Sequence, residues 1–303
     1  MVEHTLAATN AVVTLDVPIP QVIWGWMITL NMWAKSIGTG IVLVGAFLLA
    51  RYASDNEITS TVKSKMPIIS FIFLNIFLLF TLLDLHQPFR MINIFLHPHW
   101  TSAITVGAWM ATVFTGIMAL MSLLSIKKDT NNSLYGTLLK PAVVLAVPVT
   151  LYTATIMGEA TARELWQTPT ELVQMLLAAL LCGSAVLLLI GGKFSKEAKK
   201  DLAIILGVSA FFSFIIYMGE YYFGYMKAEE VAAIIGYVKE GGVYHNLFWA
   251  GQWIAFILPM ALVYLSLKSN GSTLLGLASI LAIVGLFIAK HVWLIIPQLL
   301  PLS

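Results

Sequence analysis

Residues 26–50 read WMITLNMWAKSIGTGIVLVGAFLLA, an apolar run interrupted by one charged side chain, Lys35. At 1.5 Å per residue a helix of this length reaches about 37 Å, more than the ~30 Å hydrocarbon core of a bilayer. The stretch therefore predicts a transmembrane helix. The same criterion finds further apolar runs near residues 68–85, 101–126, 140–159, 170–191, 201–225, 246–267 and 273–296. Between them stand turn and interface residues: Asp55-Asn56, Lys127-Lys128-Asp129 with Asn131-Asn132, Gly191-Gly192-Lys193 and Ser269-Asn270-Gly271. The expected fold is an all-α integral membrane protein, a bundle of eight transmembrane helices. The chain divides into an N-terminal tail, residues 1–23, and a membrane domain, residues 24–303.

Composition agrees. Of 303 residues 59% are hydrophobic and 11% charged, and the mean hydropathy is +0.88, so eight spans leave room for short connections and for no sizeable water-soluble domain. The net charge of +2 has no basic arm or stripe behind it, which argues against nucleic acid as a partner. The first 23 residues carry Glu3 and Asp16 but neither Lys nor Arg, the wrong opening for a cleaved signal peptide.

Lys and Arg are retained on the cytoplasmic side of membrane proteins. The connections after spans 1, 3, 5 and 7 hold eleven of them, including Arg51, Lys63, Lys127, Lys193 and Lys268, whereas the opposite side holds Arg90, Arg163, Lys227 and Lys239. Both termini, and the tail, are expected to face outward. Most of the unusual polar residues then fall on the outer half: Asp84, His86, Arg90, His97 and His99 after span 2; Glu159, Arg163 and Glu164 after span 4; Glu220, His245 and Lys290-His291 at the ends of spans 6, 7 and 8.

Lys35 lies nine residues beyond the start of span 1, about 14 Å deep, too far for its ammonium to reach the interface easily. Asn31 is one turn earlier on the same face. Asp84 closes span 2 at a helix carboxyl end, where the macrodipole disfavours an anion, and Arg90 beyond the Pro88 turn is the expected counter-charge. Tyr152 and Glu159, seven residues apart, share a face of span 4, with Pro148 one turn before Tyr152. The tyrosines 217, 221, 222 and 225, with Trp100, Trp109, Trp166, Trp249 and Trp253, read as an interfacial aromatic belt.

A single cysteine, Cys182, within an apolar run provides no iron-sulfur ligand set. The six histidines, His4, His86, His97, His99, His245 and His291, offer no pair at matching mid-membrane depth for a b-type haem. His97-Pro98-His99 reads as a solvated pair and not as a metal site. Neither haem, iron-sulfur cluster nor metal is expected on this chain.

Taken together, these residues resemble the NrfD family, integral membrane subunits of polysulfide reductase and related quinone-linked oxidoreductases. The likeness runs over nearly the whole chain. It is most specific in Asp84-Leu85-His86-Gln87-Pro88-Phe89-Arg90, continuing through His99-Trp100-Thr101-Ser102 to Gly107-Ala108-Trp109. Trp24-Gly25-Trp26, the small-residue run Ser36 to Gly40, Tyr152-Thr153, Leu165 to Pro169, and Phe248-Trp249-Ala250-Gly251 with Pro259 are also similar. Lys35-Ser36 departs from the family's usual small apolar step, and Glu159 matches no family motif.

The resemblance implies a multi-pass subunit of a prokaryotic inner membrane, active only within a complex. It would exchange electrons between a menaquinol-type quinone bound near the outer face and a partner iron-sulfur subunit, commonly serving a molybdopterin enzyme. By the same resemblance Asn31 and Tyr152 are quinone contacts, and Asp84 and Arg90 the loop pair. The chemistry of the residues adds that Asp84 or Glu159 can accept protons released on oxidation, with Lys35 tuning the pocket or serving as a deeper proton stop. A mid-membrane lysine and several carboxylates also suit a secondary transporter or proton-translocating subunit without quinone chemistry.

Overall fold

The computed structural model describes residues 22–130, 133–269 and 272–300. The tail over residues 1–21 and the expected breaks at Asn131-Asn132 and Asn270-Gly271 lie outside the described residues. The described chain is helical, without strands, and eight of its helices are long and apolar enough to cross a membrane. They are α1 Trp26–Arg51, α2 Asn56–Asp84, α3 Ala103–Ile126, α4 Ser133–Glu159, α5 Thr168–Ile190, α6 Lys196–Phe223, α7 His245–Ser269 and α8 Ser272–Ile295, the last extended by a 3₁₀ turn to Gln298.

Three helices begin well before their apolar runs: α2 twelve residues before 68, α4 seven before 140, and α6 five before 201. The extensions of α2 and α6 carry Lys63 and Lys65, and Lys196, Lys199 and Lys200, while that of α4, SLYGTLL, is uncharged and has its apolar run broken by Gly136. Those of α2 and α6 are polar extensions of apolar helices, so hydropathy alone places the boundary too late. Capping side chains start two of them: Asp55 accepts from the amides of Glu57 and Ile58, and Ser195 accepts from Ala198.

The helices form two rings of four. In the first, α1 packs on α2, α2 on α3, α3 on α4 and α4 on α1; in the second, α5, α6, α7 and α8 close in the same way. The rings share a seam, where α1 lies along α5, α4 also touches α5 and α8 touches α1. At its centre Gly40 and Gly183 meet: a Cβ on Gly40 would stand 1.9 Å from the Ala179 carbonyl oxygen, and one on Gly183 2.1 Å from that of Gly40. Only hydrogen atoms fit there, the close approach that small residues permit between helices in lipid.

Both ends of the membrane domain meet at one end of the bundle. Gln298 accepts from the amides of Ile23 and Trp24 and donates to the Trp24 carbonyl, and Trp24 stacks on Trp166 at 5.3 Å. The opposite end carries the basic connections, where Arg51 and the Tyr52 hydroxyl both bind Asp201 of α6.

Candidate functional site

Asn31, Lys35 and Thr39 recur every four residues and so share one face of α1. That face looks into the first ring. Asn31 is buried, its Nδ2 donating to the Phe77 carbonyl at 3.1 Å and to Thr81 Oγ1 at 2.5 Å, both on α2. Lys35 is 1% exposed; its Nζ donates to Thr153 Oγ1 on α4 and stands 4.5 Å from the Tyr152 ring centre and 5.9 Å from that of Phe77. Thr150 Oγ1 donates to Thr39 one turn further along. Phe77 meets Tyr152 edge to face at 6.4 Å. Asn31, Lys35 and Tyr152 thus fall in one connected cluster at the heart of the first ring.

The local sequence explains how Tyr152 gets there. Gly107 of α3 faces its ring so closely that a Cβ would lie 2.2 Å from the ring edge. The glycine of Gly107-Ala108-Trp109 is therefore the niche for the tyrosine. Pro148 lies inside α4 one turn before it, removing a backbone donor and freeing a carbonyl beside the cluster.

Asp84, Arg90 and Glu159 sit apart from this cluster. The expected Asp84–Arg90 pair is not formed: among the described residues the ion pairs are Arg51–Asp201 and Lys227–Glu220. Pro88–Ile92 is a 3₁₀ turn that leaves Arg90 exposed, and the titratable group acting on half-buried Asp84 is His86. Aromatic packing pins the loop instead, with Phe95 and Trp100 at 5.4 and 5.8 Å from Trp109. Glu159 is exposed at the end of α4 and lines a cavity of about 400 Å³ with Ile23, Trp24, Arg163, Trp166 and Gln298.

Arg163 closes one wall, donating to the carbonyls of Pro297 and Leu300. Burial lowers its pKa and Glu230 partly restores it; Glu230 is itself raised by burial and by Glu164. Below this cavity Met32, Met157 and Met175 pack with Trp166, Ala154 and Leu294. Met32 lies three residues before Lys35 and Met157 four after Thr153, about one helical turn from each, so these flexible side chains adjoin the Lys35 layer.

The second ring also has a polar interior, which the sequence pattern does not assemble. Glu171 of α5 is 2% exposed and accepts from Trp293 Nε1 at 2.8 Å. Lys290 is buried beside Met175, and Gln174, Ser213, Glu220 and Gln252 are buried as well. Tyr217, expected in the interfacial belt, is instead 4% exposed and packs against Trp293 at 4.9 Å and Phe256 at 5.7 Å. Trp166 likewise is buried. Glu171 escapes notice in the sequence because an acid in the first turn after Thr168-Pro169 reads as ordinary helix-dipole compensation.

Among the described residues no group of three or more His, Cys, Asp or Glu is placed to hold a metal ion.

The family model for polysulphide reductase, NrfD, matches residues 18–301. A curated relative, the C subunit of polysulfide reductase from Wolinella succinogenes, is 23% identical over 291 residues, covering 86% of this chain and 90% of its own length. The match spans both rings and every residue of the buried cluster, and the chain belongs to the NrfD, or polysulphide reductase, family of membrane proteins.

Proposed function

We propose that this protein is the membrane subunit of an oxidoreductase complex, taking electrons from a menaquinol-type quinol and passing them to a partner iron-sulfur subunit, itself commonly joined to a molybdopterin enzyme. The bound quinol would supply two electrons and two protons. The observation that carries the reading is the convergence of Asn31, Lys35 and Tyr152 from α1 and α4 on one buried point, walled by Phe77 and Gly107. A few polar groups among apolar and aromatic walls match the needs of a ring with an oxygen at each end.

Each residue has a definable part. Both donor hydrogens of Asn31 Nδ2 are engaged on α2, which leaves Oδ1 to accept from a ligand hydroxyl. The Tyr152 phenol can donate to the other ligand oxygen. Lys35, held by Thr153 over the Tyr152 ring, places a proton-carrying amine beside them. The methionine cluster, packed with the cavity-lining Trp24 and Trp166, is an adaptable apolar layer through which a ligand would pass from the cavity at Glu159 and Arg163. Asp84 and Glu159, both at the end bearing Trp24, are proton acceptors at the surface.

The basic connections would lie in the cytoplasm of a prokaryote and the Trp24 end outside, so the partner subunit docks on the outer loops. The polysulfide reductase name of the relative supports membership of a redox complex. The test is Tyr152→Phe in the assembled complex. Quinol-dependent reduction of the partner should fall by about tenfold or more, the scale of one lost positioned hydrogen bond plus proton transfer. Wild-type turnover in Tyr152→Phe would remove the proposed site; turnover in Asn31→Leu, at the same cluster, should fall with it.

A further inference from the structure

The quinol site leaves the polar interior of the second ring unused. By distance from the Trp24 end, Glu171 lies three residues into α5, about 5 Å down, and Lys290 lies eight residues before Gln298, about 12 Å down, close to the depth of Lys35. Glu220 is buried near the surface, its Oε1 bound to Lys227 Nζ at 2.6 Å. Lys227 is partly exposed. Glu171 lies within electrostatic range of both Glu220 and Lys290, and Lys290 of Lys35. The ionisable groups therefore form a sequence from the surface to the quinol site: Lys227, Glu220, Glu171, Lys290, Lys35.

A purely structural salt bridge would close the gaps, and this sequence leaves them open. Glu171 and Lys290 are not within 4.0 Å of each other, for they are not among the ion pairs of the described residues. The Lys290 ammonium has Met175 Sδ at 3.5 Å, a weak acceptor for a group with three donors. Along the same interior Glu220 Oε2, Ser213 Oγ and both polar atoms of the fully buried Gln252 have no hydrogen-bond partner among the described residues. Gln252 immediately precedes the π turn Trp253–Ile257 in α7. Unsatisfied buried polar atoms are costly, and bridging waters would satisfy them and span the gaps between ionisable groups.

We propose that Glu171, with Lys290 below it and Glu220 above, forms a water-bridged proton route through the second ring, by which protons of a quinol oxidised at Lys35 leave at the Lys227 end. The inference rests on the quinol reading. Per quinol, two electrons go to the partner's iron-sulfur acceptor and two protons remain to be removed. Lys35 as a free amine takes a proton, relays it through Lys290 to the Glu171 carboxylate and on to Glu220, and each group returns to its starting form. Facing Glu171 are Tyr217 and Glu220 from α6, Lys290 and Trp293 from α8, and Phe256 from α7 through Tyr217. The route places proton release on the face opposite the basic connections, through the ring that does not carry the quinol cluster.

The experiment compares Glu171→Gln with Tyr152→Phe in the assembled complex in membranes. Glutamine keeps an oxygen for Trp293 Nε1 and removes the titration. The readouts are quinol-dependent turnover, its H₂O/D₂O ratio, and binding of a quinone analogue by fluorescence quenching. Glu171→Gln should slow turnover about tenfold or more, raise the isotope ratio and leave analogue binding unchanged; Glu220→Gln should act in the same direction. Wild-type turnover in Glu171→Gln overturns the route, as does a slowed enzyme whose isotope ratio is unchanged or whose analogue binding is lost. Unchanged binding and turnover in Tyr152→Phe would instead overturn the quinol site itself.

Discussion

A lysine ammonium at the depth of Lys35 is stable in lipid only with partners, and its surroundings are a threonine hydroxyl and the faces of Tyr152 and Phe77. None of these is an anion, so a charge on Lys35 would have only dipoles and ring quadrupoles to stabilise it, which favours the free amine that accepts a proton. Glu230, near the surface, illustrates the same cost in a measurable form. Its Oε1 is buried without a partner among the described residues, and burial together with Glu164 raises its pKa above the unfolded value. A carboxyl with a raised folded pKa penalises the folded state above that pKa, and the penalty disappears as pH falls below the unfolded value. Glu230→Gln should therefore raise the melting temperature of the detergent-purified protein at about pH 8, with the gain vanishing near about pH 4. A constant gain across that range would show that the charge of Glu230 is not the cause.

At the scale of elements, the α1–α5 crossing has the least freedom. Gly183→Ala would drive a Cβ against the Gly40 carbonyl and the Ile41 amide, which are backbone and cannot rotate away. Separating two buried helices at their closest point should cost about 1–3 kcal/mol, read as a lower unfolding midpoint in a mild detergent. Gly116→Ala, where no atom lies within 4 Å of the new methyl, serves as the control and should be neutral. The existence and number of the spans were legible because each must satisfy its own backbone in hydrocarbon. The charged first turns of α2 and α6 were not, since hydropathy reports the apolar part of a helix and the hydrogen-bond ladder runs on past it. The Asp84–Arg90 pair failed for a related reason: six residues of separation say nothing about a 3₁₀ turn that points Arg90 to the solvent.

For the whole molecule, two four-helix rings sharing a seam give two polar interiors of different character. One gathers Asn31, Lys35 and Tyr152, the other Glu171, Lys290 and Gln252. Which of their ends faces outward is testable with single cysteines, because the native Cys182 is buried and inert to aqueous reagents. A cysteine at Lys193 should react with a membrane-impermeant maleimide only after cells are opened, and one at Lys239 in intact cells. The reverse pattern would invert the topology and place the Asn31, Lys35 and Tyr152 cluster towards the cytoplasmic face. By itself the sequence determined that this is a membrane bundle of eight helices, because apolar length and the paired backbone it requires are local properties. It also marked Lys35, Asn31 and Tyr152 as anomalies worth explaining. That Lys35 meets Thr153, 118 residues away, and that Glu171 and Lys290 share one interior, was decided by tertiary structure alone. Those meetings depend on helix order around each ring and on small residues such as Gly40, Gly107 and Gly183, whose effect exists only once another helix lies against them.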